Sequence, residues 1–346
     1  MMRPGMLAVA MALAAPACAP PASPRTMAGA AEPLNKRLSG DIVGVHDPVL
    51  IRAGGNYYVY STGRRGAVIE ARRSPDLVHW RRIAPPFATL PDWVGKQVPG
   101  AHGIWAPDIA KVGGTYRLYY AVSTFGSRHS AIGLATSKTL DPDDPDYGWH
   151  DHGMVVASSD ADNFNAIDPN LVIAADGRQW LAFGSFWDGI KLVELDPATG
   201  LALYPDAKPI ALARRPDKAS DGAIEAPFIV RHGGWYWLFA SDGFCCRGVK
   251  STYHIVVGRS RAVTGPYRDR QGMPMLDGGG TLLLAAGQGD RFRGPGHSGF
   301  LHDRDGTDYL VYHAYDAAND GKPTLRIAKV EWSDGGWPKL GHRAAE

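Results

Sequence analysis

Five segments of the chain repeat one arrangement of apolar and polar positions. In each segment an apolar strand is followed by a short glycine-containing turn and then by a strand in which aromatic and aliphatic residues alternate. The five turns are Gly54-Gly55, Gly113-Gly114, Asp176-Gly177, Gly233-Gly234 and Asp305-Gly306. Gly-Gly and Asp-Gly provide the positive φ angles of tight hairpins, because glycine has no Cβ to clash. Each copy therefore predicts a β-hairpin.

The copies recur roughly every 60 residues, and a fixed period of several tens of residues is typical of an array of supersecondary units. A single unit of this size cannot bury its own apolar face. Five such units in succession predict an all-β fold, a five-bladed β-propeller whose innermost strands surround a central axis. We expect it to form one domain over residues 39–346.

The strand before each turn is apolar but opens on ionisable residues. Asp47, Asp168 and Glu225 have nearly the same register in the first, third and fourth repeats, with Asp108 and His297 close to it in the second and fifth. A single Asp-Pro pair usually marks only a bend. Carboxylates at matched positions of three apolar strands are costly to bury unless they are paired or hydrogen-bonded. They predict an active site on the propeller axis.

The composition of the chain argues against several classes of binding partner. Lys and Arg (37) nearly balance Asp and Glu (35), and no run of like charge occurs, which argues against nucleic acid or an anionic membrane surface. The chain has three cysteines, too few for a zinc site of the usual Cys/His spacing. Two of them, Cys245 and Cys246, are adjacent. They predict either two loop thiols or a vicinal disulfide at the rim of the site.

The N-terminus predicts export. Residues 1–18 combine a positive start at Arg3 with an apolar run from Met6 to Ala15 that is too short to span a bilayer, as in a secretory signal peptide. Cys18 offers the alternative of a lipid anchor, although the three residues before it fit a lipobox poorly. Residues 19–38 are rich in Ala and Pro and predict a flexible lead-in. We expect a secreted or periplasmic protein with no stable membrane span.

Six motifs are similar to those of family 43 glycoside hydrolases, and most closely to the endo-1,5-α-L-arabinanases. They occur in the same order over nearly all of residues 39–346. The motifs are His46-Asp47-Pro48, Trp105-Ala106-Pro107-Asp108, Asn165 through Asn170, Ser185-Phe186-Trp187, Glu225-Ala226-Pro227-Phe228 and Gly294-Pro295-Gly296-His297. The resemblance implies cleavage of internal α-1,5-L-arabinofuranosyl linkages in arabinan, a polysaccharide of pectin side chains, without an organic cofactor.

The resemblance also implies catalytic roles. Asp47 would be the general base that takes a proton from the attacking water, and Glu225 the general acid that protonates the departing sugar oxygen. Asp168 would raise the pKa of the acid and orient its proton. The family inverts the anomeric configuration, which requires the two working carboxyl groups to lie about 6.5–9.5 Å apart.

His297 resembles the axial histidine that binds a hydrated calcium or similar ion in the arabinanases. One imidazole is an atypical site for a hard cation, which prefers oxygen ligands. A core histidine hydrogen-bonded to a strand carbonyl is therefore the alternative. His313, in the following strand, is expected to be structural.

Substrate contacts are predicted where loops meet the mouth of the channel, because planar rings suit sugar faces while polar groups bind hydroxyls. For several of these residues the family match favours substrate contact over packing between blades. The predicted residues are Trp105, Phe125, Gly126, Asn165, Ala166, Ile167, Ser185, Phe186 and Trp187. Phe244, beside the cysteine pair, is expected to wall the cleft.

Two other functions fit the same pattern. Relatives with the same three acids act as exo α-L-arabinofuranosidases or β-xylosidases, and many of these carry a C-terminal β-sandwich that closes the pocket. The chain given ends soon after the fifth repeat, which favours an open groove and internal cleavage. The second alternative is a carbohydrate-binding propeller without turnover, against which the presence of all three acids argues.

Overall fold

Five sheets follow one another in chain order in the computed structural model, which describes residues 1–2, 32–64, 68–217 and 221–341. Each sheet is one blade of four antiparallel strands, and the first blade has a fifth strand that pairs parallel to its neighbour. The five-bladed β-propeller predicted from the repeats is therefore confirmed. No helix among the described residues is long and apolar enough to cross a membrane.

The blades have the following strands. Blade 1 contains β1 (Ser39–Gly40), β2 (Val49–Ala53), β3 (Asn56–Thr62), β4 (Ile69–Ser74) and β5 (His79–Ile83); blade 2 contains β6 (Trp105–Val112), β7 (Thr115–Val122), β8 (Ser130–Ser137) and β9 (His150–Ser158). Blade 3 contains β10 (Asn170–Ile173), β11 (Gln179–Phe183), β12 (Ile190–Leu195) and β13 (Ile210–Ala213). Blade 4 contains β14 (Ile224–His232), β15 (Trp235–Asp242), β16 (His254–Ser260) and β17 (Thr281–Leu284), and blade 5 contains β18 (Phe292–His302), β19 (Asp308–Asp316), β20 (Lys322–Trp332) and β21 (Pro338–Leu340). The helical segments are α1 (Leu34–Arg37), α2 (Val94–Gln97) and the 3₁₀ turns Gly248–Lys250 and Met275–Asp277.

Each blade buries both of its faces against neighbouring blades. On β3, for example, Tyr58 and Tyr60 pack toward blade 2, whereas Tyr57 and Val59 pack toward blade 5. Successive side chains of a strand point to opposite faces, so a strand with two buried faces has little need of polar residues. This explains why the second strand of each repeat is a nearly continuous apolar run. An apolar cluster lies at every blade junction, including that between blades 5 and 1.

A side chain-to-main chain hydrogen bond also joins each pair of neighbouring blades. In blade order, the main-chain N–H groups of Ala106, Leu171, Ile229, His297 and Asp47 donate to Thr62 Oγ1 (2.9 Å), Asp108 Oδ2 (2.7 Å), Asn170 Oδ1 (2.8 Å), Ser241 Oγ (2.8 Å) and His313 Nδ1 (3.2 Å). We call these five contacts the junction latches. They tie the inner strand of each blade, or the residue just before it, to a neighbouring blade.

The N-terminal segment closes the ring. The N–H groups of Ser39 and Asp41 bond to carbonyls of blade 1, at 2.9 and 2.8 Å, whereas Gly44 N–H bonds to Pro323 of blade 5 at 2.7 Å. Within α1, Asn35 is buried and donates to Tyr312 Oη at 3.1 Å while accepting from Ile327 N–H at 2.6 Å. One short segment therefore bridges the first and last blades.

These contacts correct part of the expected lead-in. Leu34–Arg37 forms a short helix, and Leu38 is buried in the cluster between blades 5 and 1, so this end of residues 19–38 is packed. The stretch rich in Ala and Pro that suggested flexibility lies mainly before Pro33. Residues 19–31 lie outside the described residues, as do residues 3–18 of the predicted signal peptide and Cys18 within it.

Candidate active site

One residue in or just before the inner strand of every blade has the same unusual backbone conformation. Asp47, Ala106, Asp168, Ala226 and His297, none of them glycine, have φ angles between 43° and 58°. L-residues adopt this left-handed region only rarely. Since the kink recurs in all five blades, it is part of the repeat. It also defines the register: Asp47, Asp168 and His297 are equivalent, whereas Glu225 stands one residue earlier and Asp108 two residues later.

The predicted acids meet in one cavity. A space of about 1120 Å³ is lined by Asp47 of blade 1, Asp168 at the start of blade 3, Glu225 of blade 4 and His297 of blade 5. All three acidic residues are buried. Asp108 does not line this cavity, because its carboxylate forms the junction latch to Leu171 and accepts from Asn170 Nδ2 at 3.4 Å.

Asp47 is surrounded by hydrogen-bond donors. Its Oδ2 accepts from Thr62 Oγ1 at 2.5 Å and from His46 Nδ1 at 2.7 Å, and its Oδ1 lies 3.1 Å from His297 Nδ1. Burial alone would raise the pKa of this carboxyl. The neighbouring histidines His46 and His297 outweigh burial through electrostatic interaction and hydrogen bonds, and they hold the pKa of Asp47 well below its ordinary value. Asp47 is therefore ionised, as a general base must be.

Glu225 has the opposite character. Ser185 Oγ donates to its Oε2 at 2.6 Å, and Tyr253 also hydrogen-bonds to the carboxyl. These bonds favour the charged form, but burial is the larger effect and raises the pKa of Glu225. A carboxyl that keeps its proton to higher pH suits a general acid. The cavity thus contains one carboxyl that has lost its proton and one that tends to keep it.

Asp168 lies beside this acid. Its Oδ2 accepts from the main-chain N–H of Ala226, the residue after Glu225, at 3.1 Å. Burial raises the pKa of Asp168 well above its ordinary value, and the charges of Glu225 and Asp47 add to this, although His297 opposes it. The contact with Ala226 shows how Asp168 can orient Glu225 through the main chain. It is a geometric link that the predicted role did not specify.

His297 is held between the carboxyls. Burial alone would lower its pKa, but the charge and hydrogen bond of Asp47, with the charges of Asp168 and Glu225, raise the pKa of His297 to about 9. Because Nδ1 faces Asp47, Nε2 is the nitrogen left for another partner. One imidazole nitrogen fits a cation that takes its other ligands from water; it does not provide a cage of protein oxygens.

His46, Asp47 and His313 also place ligand-type atoms within 4.8 Å of one another. Each ring nitrogen of these two histidines already has a hydrogen-bond partner. His46 contacts Asp47 Oδ2 and Tyr315 Oη, and His313 contacts the N–H of Asp47 and Tyr315 Oη. The group is therefore a hydrogen-bonded network rather than a metal site.

The structure places eight of the nine predicted substrate-binding residues on the cavity wall: Trp105, Phe125, Gly126, Asn165, Ile167, Ser185, Phe186 and Trp187. Phe125 is 85% exposed and Trp187 is 37% exposed, as rim platforms would be. Ala166 is the exception. It is fully buried between blades 2 and 3, where its N–H donates to Ser158 Oγ at 2.8 Å, so its predicted contact is corrected.

Other lining residues were not predicted. Thr62, which holds Asp47, and Arg215 and Arg247 all line the cavity. One signal was available in the repeats, because the first four end on a hydroxyl residue: Thr62, Ser123, Ser185 and Ser241. Three of these hydroxyls contact Asp47, Glu225 or the main chain of His297. No pattern indicated Tyr253 or Tyr315.

The cysteine pair forms a vicinal disulfide, which is one of the two alternatives that the sequence allowed. It lines the cavity together with Phe244. The Phe244 ring lies 5.8 Å from that of Phe186, and the Arg247 guanidinium lies 4.1 Å over its face. Phe244 thus walls the cleft as expected.

Comparison with known proteins identifies the family. The family model described as glycosyl hydrolases family 43 matches residues 42–338. The chain belongs to this family. An extracellular exo-alpha-(1->5)-L-arabinofuranosidase of Cellvibrio japonicus is 45% identical over 306 residues, which is 86% of each chain. An extracellular endo-alpha-(1->5)-L-arabinanase of Bacillus subtilis is 43% identical over 298 residues, 85% of this chain and 87% of that one.

Solved family 43 structures share the fold. The alpha-L-arabinanase of Cellvibrio cellulosa in complex with arabinohexaose matches with a TM-score of 0.81 and 42% identity, over 88% of this chain and 97% of the other. The similarity extends over the propeller and all five of its blades. The sequence resemblance to family 43 is thereby confirmed.

Proposed function

We propose that this family 43 hydrolase cleaves internal α-1,5-L-arabinofuranosyl linkages of arabinan with inversion. The proposal rests on two buried carboxyls in one cavity whose pKa values are shifted in opposite directions. The pKa of Asp47 is lowered, which favours its ionised form, and that of Glu225 is raised, which favours its protonated form. Glycoside hydrolysis requires such a pair. The names of the Cellvibrio and Bacillus relatives support arabinan as the substrate.

In the proposed mechanism a water molecule lies between the sugar and Asp47. Asp47 takes its proton as the oxygen attacks the anomeric carbon, and Glu225 protonates the departing oxygen from the other side of the linkage. Asp168 holds the Glu225 segment through the N–H of Ala226. Inversion predicts about 6.5–9.5 Å between the two working carboxyl groups.

Exo cleavage is the second candidate, because the Cellvibrio japonicus relative is named as an exo enzyme. Viscosity and reducing-sugar release, measured together on linear arabinan, separate the two. Internal cleavage predicts that viscosity falls much faster than reducing ends appear, and release of arabinose alone would refute it. Absence of turnover on arabinan and on linear xylan would leave only the binding propeller.

We also propose that a hydrated cation, such as calcium, binds in the cavity through Nε2 of His297. It would supply positive charge near the three carboxyls. Its support is the position of Nε2, the ring nitrogen of His297 that does not face Asp47; the ion would replace the proton that the raised pKa of His297 keeps there at neutral pH. Incubation with a chelator should lower activity and the melting temperature, and re-addition of Ca²⁺ should restore both. No change in either would remove the ion from the mechanism.

Secretion through a cleaved N-terminal signal is likewise a proposal, with lipidation at Cys18 as its alternative. Two relatives are named as extracellular, which supports an extracellular polysaccharide as the substrate. The mass of the mature protein, measured after expression of the whole chain, distinguishes cleavage, lipidation and retention of the segment.

A further inference from the structure

Behind Asp47, at and beneath the cavity wall, lie groups that the mechanism above does not use. They are His46, His313, Tyr315 and the vicinal disulfide of Cys245 and Cys246. Both His313 and Tyr315 are almost fully buried, and the rings of His46 and His313 stack with centroids 4.0 Å apart. Buried hydrogen-bond donors and acceptors usually have partners, because leaving a buried polar group unpaired costs free energy of folding.

The donor and the acceptor of each hydrogen bond in this group can be assigned by starting from the main-chain N–H groups, which can only donate. The N–H of Asp47 donates to Nδ1 of His313 at 3.2 Å. That nitrogen therefore carries no proton, and neutral His313 has its proton on Nε2, which lies 3.3 Å from Tyr315 Oη. The N–H of Cys246 donates to the same phenol oxygen at 2.7 Å. Tyr315 Oη thus accepts two hydrogen bonds.

Tyr315 has one hydroxyl proton of its own, which it donates to an acceptor. Ser251 also hydrogen-bonds to Tyr315, but its Oγ already accepts from the N–H of Arg247, so His46 Nε2, at 2.9 Å, is the better acceptor. A ring nitrogen that accepts a hydrogen bond carries no proton, so His46 has its proton on Nδ1, 2.7 Å from Asp47 Oδ2. The tautomer of His46 therefore follows from the contacts of Tyr315.

We propose that Tyr315 and His46 are positioning residues that present a fixed N–H donor to the general base Asp47, with the Cys246 N–H as their anchor. The proposal rests on the proposed function in assigning Asp47 as the base. Two donors, Thr62 and His46, then occupy Oδ2. His297 takes one lone pair of Oδ1, so the other lone pair of Oδ1 receives the proton of the attacking water.

The disulfide supports this series of hydrogen bonds. Cys246 is in the left-handed backbone region, with φ at 65°, and its bond to Cys245 ties down the residue whose N–H holds Tyr315. The main chain at the cavity rim is thereby connected to Asp47 through two side chains. This gives the adjacent cysteines a role that the sequence pattern alone did not assign.

The test compares two tyrosines of β19. Tyr315→Phe removes the hydroxyl that holds His46, and Tyr312→Phe removes an equally buried hydroxyl that contacts Asn35 away from the cavity. We expect Tyr315→Phe to lower kcat about 10- to 100-fold with little change in KM, as is usual when a partner of a reacting group is lost. Tyr312→Phe should leave kcat unchanged. Equal effects of the two variants on kcat would overturn the proposal.

A double-mutant cycle then tests whether Tyr315 acts on Asp47 through His46. If Tyr315 acts through His46, Tyr315→Phe should cost no further activity in a His46→Phe background. Losses that multiply would mean that Tyr315 acts independently of His46, and the proposal would fail. The cycle uses ratios on any glycoside that the wild type cleaves, so a failure of the arabinan assignment is seen separately, as an inactive wild type on arabinan.

The tautomer itself can be observed without an assay. Long-range ¹H–¹⁵N spectra of the histidine-labelled protein, assigned through His46→Phe, distinguish a ring protonated on Nδ1 from one protonated on Nε2. We expect the Nδ1–H form for His46 in the wild type and its loss as the dominant form in Tyr315→Phe. An Nε2–H form or a doubly protonated ring in the wild type would contradict the assignment, whatever the substrate is.

Discussion

At the scale of single residues, the protein separates two like groups by their surroundings. Asp47 and Glu225 are both buried, yet donors surround Asp47 while burial dominates at Glu225. The positions of the three acids could be predicted from their register in the repeats. Their different protonation could not, since it depends on how burial at each carboxyl balances against the groups that surround it in the folded protein.

A pH profile follows from the raised pKa of Glu225. The general acid must be protonated, so kcat/KM should stay high above the ordinary glutamic acid pKa of about 4.3 and fall as the pH rises through the raised value. Glu225→Gln, which cannot donate in this way, should lower kcat on arabinan by at least about 100-fold and remove this alkaline limb. Asp217→Asn, at the cavity wall, is the comparison variant for a loss of negative charge alone. An unchanged alkaline limb in Glu225→Gln would assign it to another group.

At the scale of strands and blades, the recurring turns and apolar strands were sufficient to predict five blades. The left-handed kink in or just before each inner strand was not predictable from the same pattern, and it displaces Glu225 by one residue from Asp47 and Asp168. The junction latches were also missed. A single Asp or Asn in an apolar strand has the same appearance in the sequence whether it reaches substrate or a neighbouring blade.

The latch formed by Asp108 makes a prediction for stability. Burial raises the pKa of Asp108 to about 7, against the donors of Leu171 and Asn170. Because this value lies above the pKa of an unfolded aspartate, about 3.9, its contribution to stability is complete below pH 4 and is lost as the pH rises toward and through 7. Asp108→Asn keeps an acceptor for Leu171 without the charge.

We therefore expect Asp108→Asn to raise the melting temperature relative to the wild type at pH 8, and to do so less at pH 5. Thermal unfolding of both proteins at the two pH values measures this difference. A variant that is destabilised equally at both pH values would show that folding does not raise the pKa of Asp108.

At the scale of the whole molecule, the ring depends on residues that precede the first repeat. Residues of α1 and the following segment lie across blade 5 and blade 1, a closure that the repeat pattern could not indicate because these residues belong to no repeat. Composition suggested flexibility for them instead. Asn35 is buried, and both its side chain and its carbonyl oxygen hydrogen-bond to blade 5, which that estimate did not take into account.

Asn35→Ala should therefore destabilise the ring. It leaves the N–H of Ile327 and the hydroxyl of Tyr312 without this partner, and we expect the free energy of unfolding to fall by about 1–3 kcal/mol. Arg37→Ala, at an exposed position of the same helix, is the matched control. Urea unfolding followed by tryptophan fluorescence gives both values, and equal midpoints for the two variants would contradict the closure role.

The closure between the first and last blades also determines when the enzyme can begin to work. Asp47 is made early in synthesis, but its partners His297 and His313 belong to the final repeat. A nascent or truncated chain that lacks the fifth blade contains Asp47 and Glu225, the proposed base and acid. It lacks His297 and His313, which contact Asp47 in addition to Thr62 and His46. We therefore expect hydrolytic activity only after the fifth repeat has been synthesised and has folded, and truncated chains without it should be inactive.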